Sequence, residues 1–504
     1  MKSTLTLNLI ACLLLAAGTV SAWAQSASIS VPVAPAPGTA PAPAAGAFDR
    51  WADAIKKPAA GFSWGGDFRV RNEYMDNIVS LTEANALSEQ DVIRFRGRLW
   101  ASAMPVSNVS LNVRVSGEAR EWINPSAFSQ YRGQTGMEWR YGIIDNLNVK
   151  WTNAFGMPLS ISAGRQDIML GDYWNWWLVA DGTPGDGSWT FFFDSVRVGY
   201  DAKDLKTKFD VIYLYQNAQP DAWIPTLGRS GNFYAGGSRL APYTLTEQNE
   251  QGVIFNVSNK SLKNTQLDGY FIYKRDNKEY SNGDSANIYT LGARITGNPG
   301  AHWQYQVEGA YQFGHKQDGM VGTKYVNSTT DWREIGAYGG NARLSYLCKD
   351  SLNNQFHLVG EYLSGDDPNT KGRDEMFDIL WGRWPRTSEL YIYSYINETS
   401  GKVAQWNNLG RVGCGWTMSP TKGMSLGAYY NALFAPEAVP TRTINAALFS
   451  KNGNFRGHYV QAVLKHQFSK HLTAHLWGEW VWEGDFYAQR DLMTFLRAEV
   501  LLTF

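Results

Sequence analysis

The stretch VIRFRGRLW, residues 92–100, changes character at every step: Ile93, Phe95, Gly97 and Leu99 interleave with Arg94, Arg96 and Arg98. Successive side chains of a β-strand point to opposite faces, so this segment has one apolar face and one basic face. The pattern recurs along the chain. In VSLNVRVSGEAR, residues 109–120, Leu111, Val113 and Val115 interleave with Asn112, Arg114 and Ser116. In AHWQYQVEGAYQF, residues 301–313, Trp303, Tyr305, Val307, Tyr311 and Phe313 interleave with Gln304, Gln306 and Glu308.

Eighteen such segments follow one another, beginning near residues 62, 92, 109, 143, 159, 188, 206, 250, 265, 286, 301, 334, 353, 404, 422, 455, 471 and 492. Most span roughly ten to fifteen residues, long for soluble strands and suited to tilted strands that cross a bilayer. Short turns fall at residues 105–108, 155–158, 201–205, 259–264, 297–300, 349–353, 419–422 and 469–471. Between them lie nine longer connections rich in Gly, Asp and Asn. This alternation predicts an all-β fold, a transmembrane antiparallel β-barrel of about 18 strands with short periplasmic turns and long extracellular loops. Aromatics near strand ends, Trp100, Trp151, Trp480, Trp482 and Tyr487, fit interfacial girdles. The chain closes on AEVLLTF, with Ala498, Val500, Leu502 and Phe504 on one face, as outer-membrane barrels end.

The flanking segment divides the 504 residues into three parts. Residues 1–24 read as a secretory signal: Lys2 is the basic start, residues 5–20 are largely apolar, and Ala22-Trp23-Ala24 is a cleavage pattern. Residues 25–60 form an Ala/Pro-rich periplasmic linker, with an amphipathic helical turn or two expected at residues 48–57. Residues 61–504 form the barrel. Together these place the protein in the bacterial outer membrane, with membrane lipids as partners and a monomer expected. The formal net charge is zero, which implies no long-range attraction to nucleic acid. Outside the signal, Cys348 and Cys414 leave room for one disulfide but no disulfide framework.

In a barrel the polar face looks into the lumen. By alternation the inward bases number fourteen, among them Arg69, Arg71, Arg94, Arg96, Arg98, Arg114, Arg197, Arg411 and Arg497, against seven inward acids. Closure makes the first and last strands neighbours, which aligns Arg497 with the arginines of strands one to three as a wall. Each arginine offers a charged planar fork to a carboxylate. A row of them supplies the successive weak sites that conduction requires. Any single arginine of the row reads first as Arg–Glu bracing of the wall, whereas the row as a whole reads as handling anions.

The stretch GRQDIMLGDYWNWW, residues 164–177, spans the top of strand five and the third outer loop. Its Trp174, Trp176 and Trp177 suit either stacking on sugar rings or anchoring in lipid headgroups. The reading here sends this loop into the mouth of the pore to meet the permeant. Acid-rich residues 181–188 and 364–375 are the places where an outer loop would take calcium, though neither has EF-hand spacing; no other cofactor is expected. Motifs of hydrolases, zinc proteases and P-loop enzymes are absent from the sequence, so catalysis is not expected.

Four features together resemble the alginate-export outer-membrane porins. They are GRQ at residues 164–166 before a Trp-rich loop, FDSVRVGYD at 193–201, FDILWGRW at 377–384, and the arginine-lined first three strands. The resemblance implies an eighteen-stranded monomeric barrel with an electropositive constriction passing an anionic uronate polymer, and it places Arg165 in that constriction. One departure stands out: the secretion porin of that family carries a long periplasmic plug loop near its last strands, and every such turn here is short. The expectation is therefore a porin for alginate-like polysaccharide or oligosaccharide. The alternatives are a general or sugar-selective uptake porin, and more remotely a barrel enzyme or adhesin.

Overall fold

The structure is a computed structural model that describes residues 47–85, 88–124, 137–170, 192–218, 246–317, 332–382, 387–399, 402, 405–443 and 445–504. A helix, α1 (Ala47–Lys56), precedes the first strand. It occupies nearly all of the amphipathic stretch at the end of the linker, so that part of residues 25–60 is ordered into secondary structure.

The wall begins with β1 (Phe62–Asp76), β2 (Glu89–Val106), β3 (Val109–Asn124), β4 (Met137–Trp151), β5 (Leu159–Gln166) and β6 (Phe193–Ala202). It continues through β7 (Thr207–Gln216), β8 (Gln248–Asn259), β9 (Thr265–Lys278), β10 (Ser285–Gly297), β11 (Trp303–Gln317) and β12 (Arg333–Leu347). It ends with β13 (Gln355–Leu363), β14 (Leu409–Met418), β15 (Met424–Phe434), β16 (Phe455–Gln467), β17 (Leu472–Glu483) and β18 (Leu492–Thr503). Each strand pairs antiparallel with its sequence neighbours, and β1 pairs with β18 from Asp67↔Thr503 to Asp76↔Thr494. The sheet is thus a closed eighteen-strand barrel with no free edge. One further short pairing, Arg373–Asp374 running parallel to β12, belongs to a loop.

Alternation decides the faces as expected. Phe68, Leu99 and Leu502 are 48%, 63% and 49% exposed on the outside, while Arg69, Arg96 and Glu499 between them are buried inside. No described helix is long and apolar enough to cross a membrane. Residues 152–158, 260–264, 298–302 and 419–423 link strands tightly at one end. Three details differ from the sequence reading. The fifth outer connection, residues 279–284, is as short as the turns of the other end. Tyr487 is not in a girdle; it is buried beside Phe449 and Phe486 under the loops. Trp100 is paired opposite Arg114, at an inward-facing position. Cys348 and Cys414 are free thiols.

The largest difference lies in loop seven, residues 364–408, between β13 and β14. It enters the lumen and makes an apolar core there. Phe377, Ile379, Leu380, Trp381, Leu390 and Tyr395 are buried against inward-facing Ile212, Leu214, Ile254, Ile272 and Ile288 near the loop end of the strands. Removing each such side chain from water contributes roughly 1.5–3 kcal/mol. Trp381 lies so close to β8 that a Cβ on Gly252 would stand 2.4 Å from its ring. Its indole donates to Glu250 at 3.0 Å.

Candidate functional site

The predicted arginine wall forms, and the register explains how. Arg69 pairs with Arg96 and Arg71 with Arg94 across β1 and β2, while Arg497 on β18 stands opposite Glu73. The side chains are not open to the lumen: Arg69, Arg71, Arg94, Arg96 and Arg497 are 3% exposed or less. They are interleaved with acids. Arg94 donates to Glu73 at 3.0 Å and to Glu118 at 2.9 Å. Arg71 meets Glu499 at 2.5 Å and Arg497 meets Glu73 at 2.7 Å. Arg98 donates to Asp67 at 2.7 Å, and Arg96 lies 3.6 Å from the same carboxylate. Loop seven supplies a further acid, Glu389, at 3.0 Å from Arg497. With Arg120 on Glu118, seven guanidiniums (Arg69, Arg71, Arg94, Arg96, Arg98, Arg120, Arg497) share five carboxylates (Asp67, Glu73, Glu118, Glu389, Glu499).

The other predicted residues are distributed around the wall. Arg114 is held by Asp145 and Asp167, both at 2.8 Å. Arg197 pairs with Asp210 at 2.8 Å, and Arg411 with Glu361 at 3.1 Å. Arg165 stands opposite Leu147 and Asp194 in the register, and Leu147 faces outward. Its guanidinium grips Asp194 with two contacts of 2.8 Å, donates to the Ile144 carbonyl and stacks 4.1 Å over Phe192. Asp194, Ile144 and Phe192 are not members of the arginine wall. Trp174, Trp176, Trp177 and residues 181–188 lie outside the described residues. In residues 364–375, Asp366 and Asp374 are engaged by Arg333, and Asp374 by Arg442 as well. Among the described residues no group of three or more ligating side chains is arranged to hold a metal ion.

The inward acids were undercounted in the sequence reading. Asp67, Asp145, Asp268, Glu250 and Asp276 also point inward and pair with Arg98, Arg114, Arg294 and Lys274.

Loop seven divides the lumen. Its short helix α2 (Leu390–Ser394) starts at a buried carboxylate. Glu479 accepts from Ser388 Oγ, from the Glu389 N–H at 2.8 Å and from the Leu390 N–H at 3.1 Å, and the Trp477 indole donates to it at 2.6 Å. The Glu389 and Leu390 N–H groups would otherwise be orphaned at the helix start. Gln461 and Tyr459 fix the Thr387 carbonyl at 2.8 and 2.9 Å.

Beyond Thr387 and Trp406, on the side of the short turns, lies an open chamber of about 700 Å³. Its charged lining is Lys260, Arg343, Arg411 and Lys465 against one acid, Glu361. Amides line it too, among them Gln266, Gln304, Gln306, Asn341, Gln355 and Asn431, together with the rings of Tyr305, Tyr429, Tyr459 and Trp477. Arg343 is oriented by His357 at 3.1 Å and Ser345 at 3.3 Å, and Lys465 lies over the Trp477 ring at 5.6 Å. Of the residues predicted to line the path, Arg411 borders this chamber.

The sequence profile of the alginate export family matches residues 222–499, more than half of the chain. The chain belongs to the alginate export family. The match runs from the connection before β8 into β18, so every lining residue of the chamber lies inside it and the arginines of β1–β3 lie before it. No curated protein matches the sequence. Among solved structures, OccAB2 of Acinetobacter baumannii superposes with a TM-score of 0.52 at 10% identity, over 88% of this chain and 98% of that one. OccK8 (OprE) of Pseudomonas aeruginosa gives 0.50 at 12% identity, over 88% and 99%. A BenF-like porin of Pseudomonas fluorescens gives 0.50 at 10% identity, over 88% and 99%. At such identities the likeness is one of fold: this alginate export family member is an outer-membrane porin-type barrel.

Loop seven was reachable from the sequence by one signal that was not used. In VIYLYQ, residues 211–216, apolar residues occupy both faces, since Ile212 and Leu214 alternate with Val211, Tyr213 and Tyr215. An apolar inward face in a polar lumen requires something apolar to cover it.

Proposed function

We propose that this alginate export family member, carried to the outer membrane by a cleaved N-terminal signal, is a channel for anionic saccharides of the uronate type. The observation that carries this reading is the chamber lining. Its basic side chains outnumber its one acid, and they stand among amides and aromatic rings. Guanidinium and ammonium groups meet carboxylates, amides meet hydroxyls, and rings stack on sugar faces. Several such weak partners in series bind a permeant enough to admit it and loosely enough to release it. In this reading the permeant runs through the chamber past Arg343, Arg411 and Lys465. The packed arginines, Arg69, Arg71, Arg94, Arg96, Arg98 and Arg497, brace the wall and add a fixed positive field. Arg114, Arg165 and Arg197 hold neighbouring strands together, and Trp174, Trp176 and Trp177 would meet the sugar at the mouth.

Loop seven favours short oligomers over long polymer as the cargo in its present position, because it fills the lumen above the chamber. Planar-bilayer recording tests the proposal. In a salt gradient the reversal potential should report anion preference, and oligouronates should block the current where neutral oligosaccharides of equal length do not. Cation preference, or equal block by both, would overturn the reading in favour of a general porin.

A further inference from the structure

Helix α1 makes its contacts on the outside of the barrel. Trp51 meets the ring of Phe504 with centroids 6.3 Å apart, and Lys56 Nζ stands 5.4 Å from the same ring. The Trp64 indole donates to the Ile55 carbonyl at 2.5 Å and packs on Phe504 at 5.3 Å. Trp64 and Phe504 alternate in phase with Phe68 and Leu502, which face outward. The helix therefore lies against the outer surface where β1 and β18 close the barrel. It lies at the short-turn end, since Asp53 is 3.5 Å from Lys470 in the turn between β16 and β17.

Ala52 is wholly buried against the wall, yet Trp51 is 54% exposed and Arg50 is exposed beside it. The neighbouring outward surface is apolar as well: Phe62 and Val106 are exposed at this rim. A ten-residue helix does not hold itself together in water. An exposed indole continuous with the lipid-facing belt, flanked by Arg50, Lys56 and Lys57, has the make-up of a helix lying in a membrane interface.

We infer that α1 lies in the headgroup layer of the periplasmic leaflet, with anionic phospholipid headgroups as its partner, and that it thereby fastens the β1–β18 seam to the membrane. The inference is independent of what the pore passes.

Site-directed fluorescence tests it on the full chain. In a background with Cys12, Cys348 and Cys414 changed to Ala, Trp51→Cys carries a bimane label and Asn264→Cys, in an exposed short turn, serves as control. Both proteins are reconstituted into phosphatidylethanolamine–phosphatidylglycerol vesicles, and barrel closure is checked by heat-modified gel mobility. With lipids brominated near the headgroup end of their chains, the label at position 51 should lose roughly half its intensity. Aqueous iodide should scarcely reach it, and the control should behave in the opposite way. Quenching at position 51 by iodide alone would show a helix facing water, and quenching by neither would show a helix covered by protein; either overturns the inference. Replacing phosphatidylglycerol by phosphatidylcholine should reduce the bromolipid effect, and an unchanged effect would refute the part played by anionic headgroups. Arg50→Cys, labelled in the same way, repeats the test should Trp51→Cys fail to close.

Discussion

Arg94 serves Glu73 and Glu118 together, and Glu118 in turn serves Arg69, Arg94 and Arg120. Removing one member of such a buried set leaves its partners charged and unmatched, at a cost of about 3–5 kcal/mol. Glu118→Gln should accordingly destabilise the barrel by about 3 kcal/mol, measured by urea unfolding from lipid vesicles; a change within about 1 kcal/mol would mean the cluster relaxes around the loss. The chamber residues predict the converse. Arg343→Gln with Lys465→Gln should leave stability within about 1 kcal/mol of wild type, because both side chains border the open chamber. The pair should move the reversal potential toward zero and weaken block by oligouronates. The inward direction of Arg69, Arg71, Arg94, Arg96, Arg98 and Arg497 was legible in the sequence, since strand parity fixes it. The partners were not, because Glu389 comes from a loop and Asp67 acts across the register.

Loop seven is the element that packs into the lumen against Ile212, Leu214, Ile254, Ile272 and Ile288. Glu479 holds its helix start, so Glu479→Ala removes the acceptor for Ser388, Glu389, Leu390 and Trp477 at once. Single-channel conductance should rise and fluctuate more in this variant, with the barrel intact by gel mobility; unchanged conductance would show that loop seven does not narrow the conducting path. The root of the loop should respond to pH. Burial, and then the neighbouring Asp374 carboxylate, push Asp366 up to about 7, while Arg333 and Arg442 oppose the shift. A carboxyl raised in the folded protein holds its proton more tightly there than when unfolded, so its contribution is fully present at low pH and is lost as pH rises through about 7. Gating should therefore be more frequent at pH 7.5 than at pH 5, and Asp366→Asn should abolish that difference. If the variant keeps the same pH dependence, another group controls it.

At the scale of the whole molecule, the short turns share one end of the barrel and the larger loops the other. Single cysteines at Asn369 and Asn452, both exposed, should react with a membrane-impermeant reagent in intact cells. Those at Asn108 and Asn264, exposed in short turns, should stay unlabelled until the outer membrane is opened. Labelling at Asn264 in intact cells would reverse the topology. Asp366 is buried and would be a misleading probe despite its place in an outer loop.

The sequence by itself determined the strand number, the inside and outside of each strand and, apart from residues 279–284, the rhythm of short and long connections. Those features are local: a period of two and a turn are written within a few residues, and a closed barrel repeats them eighteen times. It also marked the inward arginines and the family, through short motifs. Only the tertiary structure decided that the arginine wall is packed against five carboxylates, that loop seven enters the lumen, and that the open chamber lies by Arg343, Arg411 and Lys465. Each of these depends on side chains far apart in the chain meeting across the lumen, as Glu389 meets Arg497 and Trp381 meets Gly252. Alternation fixes which way a side chain points, but what stands opposite it across an enclosed space is set by closure of the barrel and by the loop that fills it.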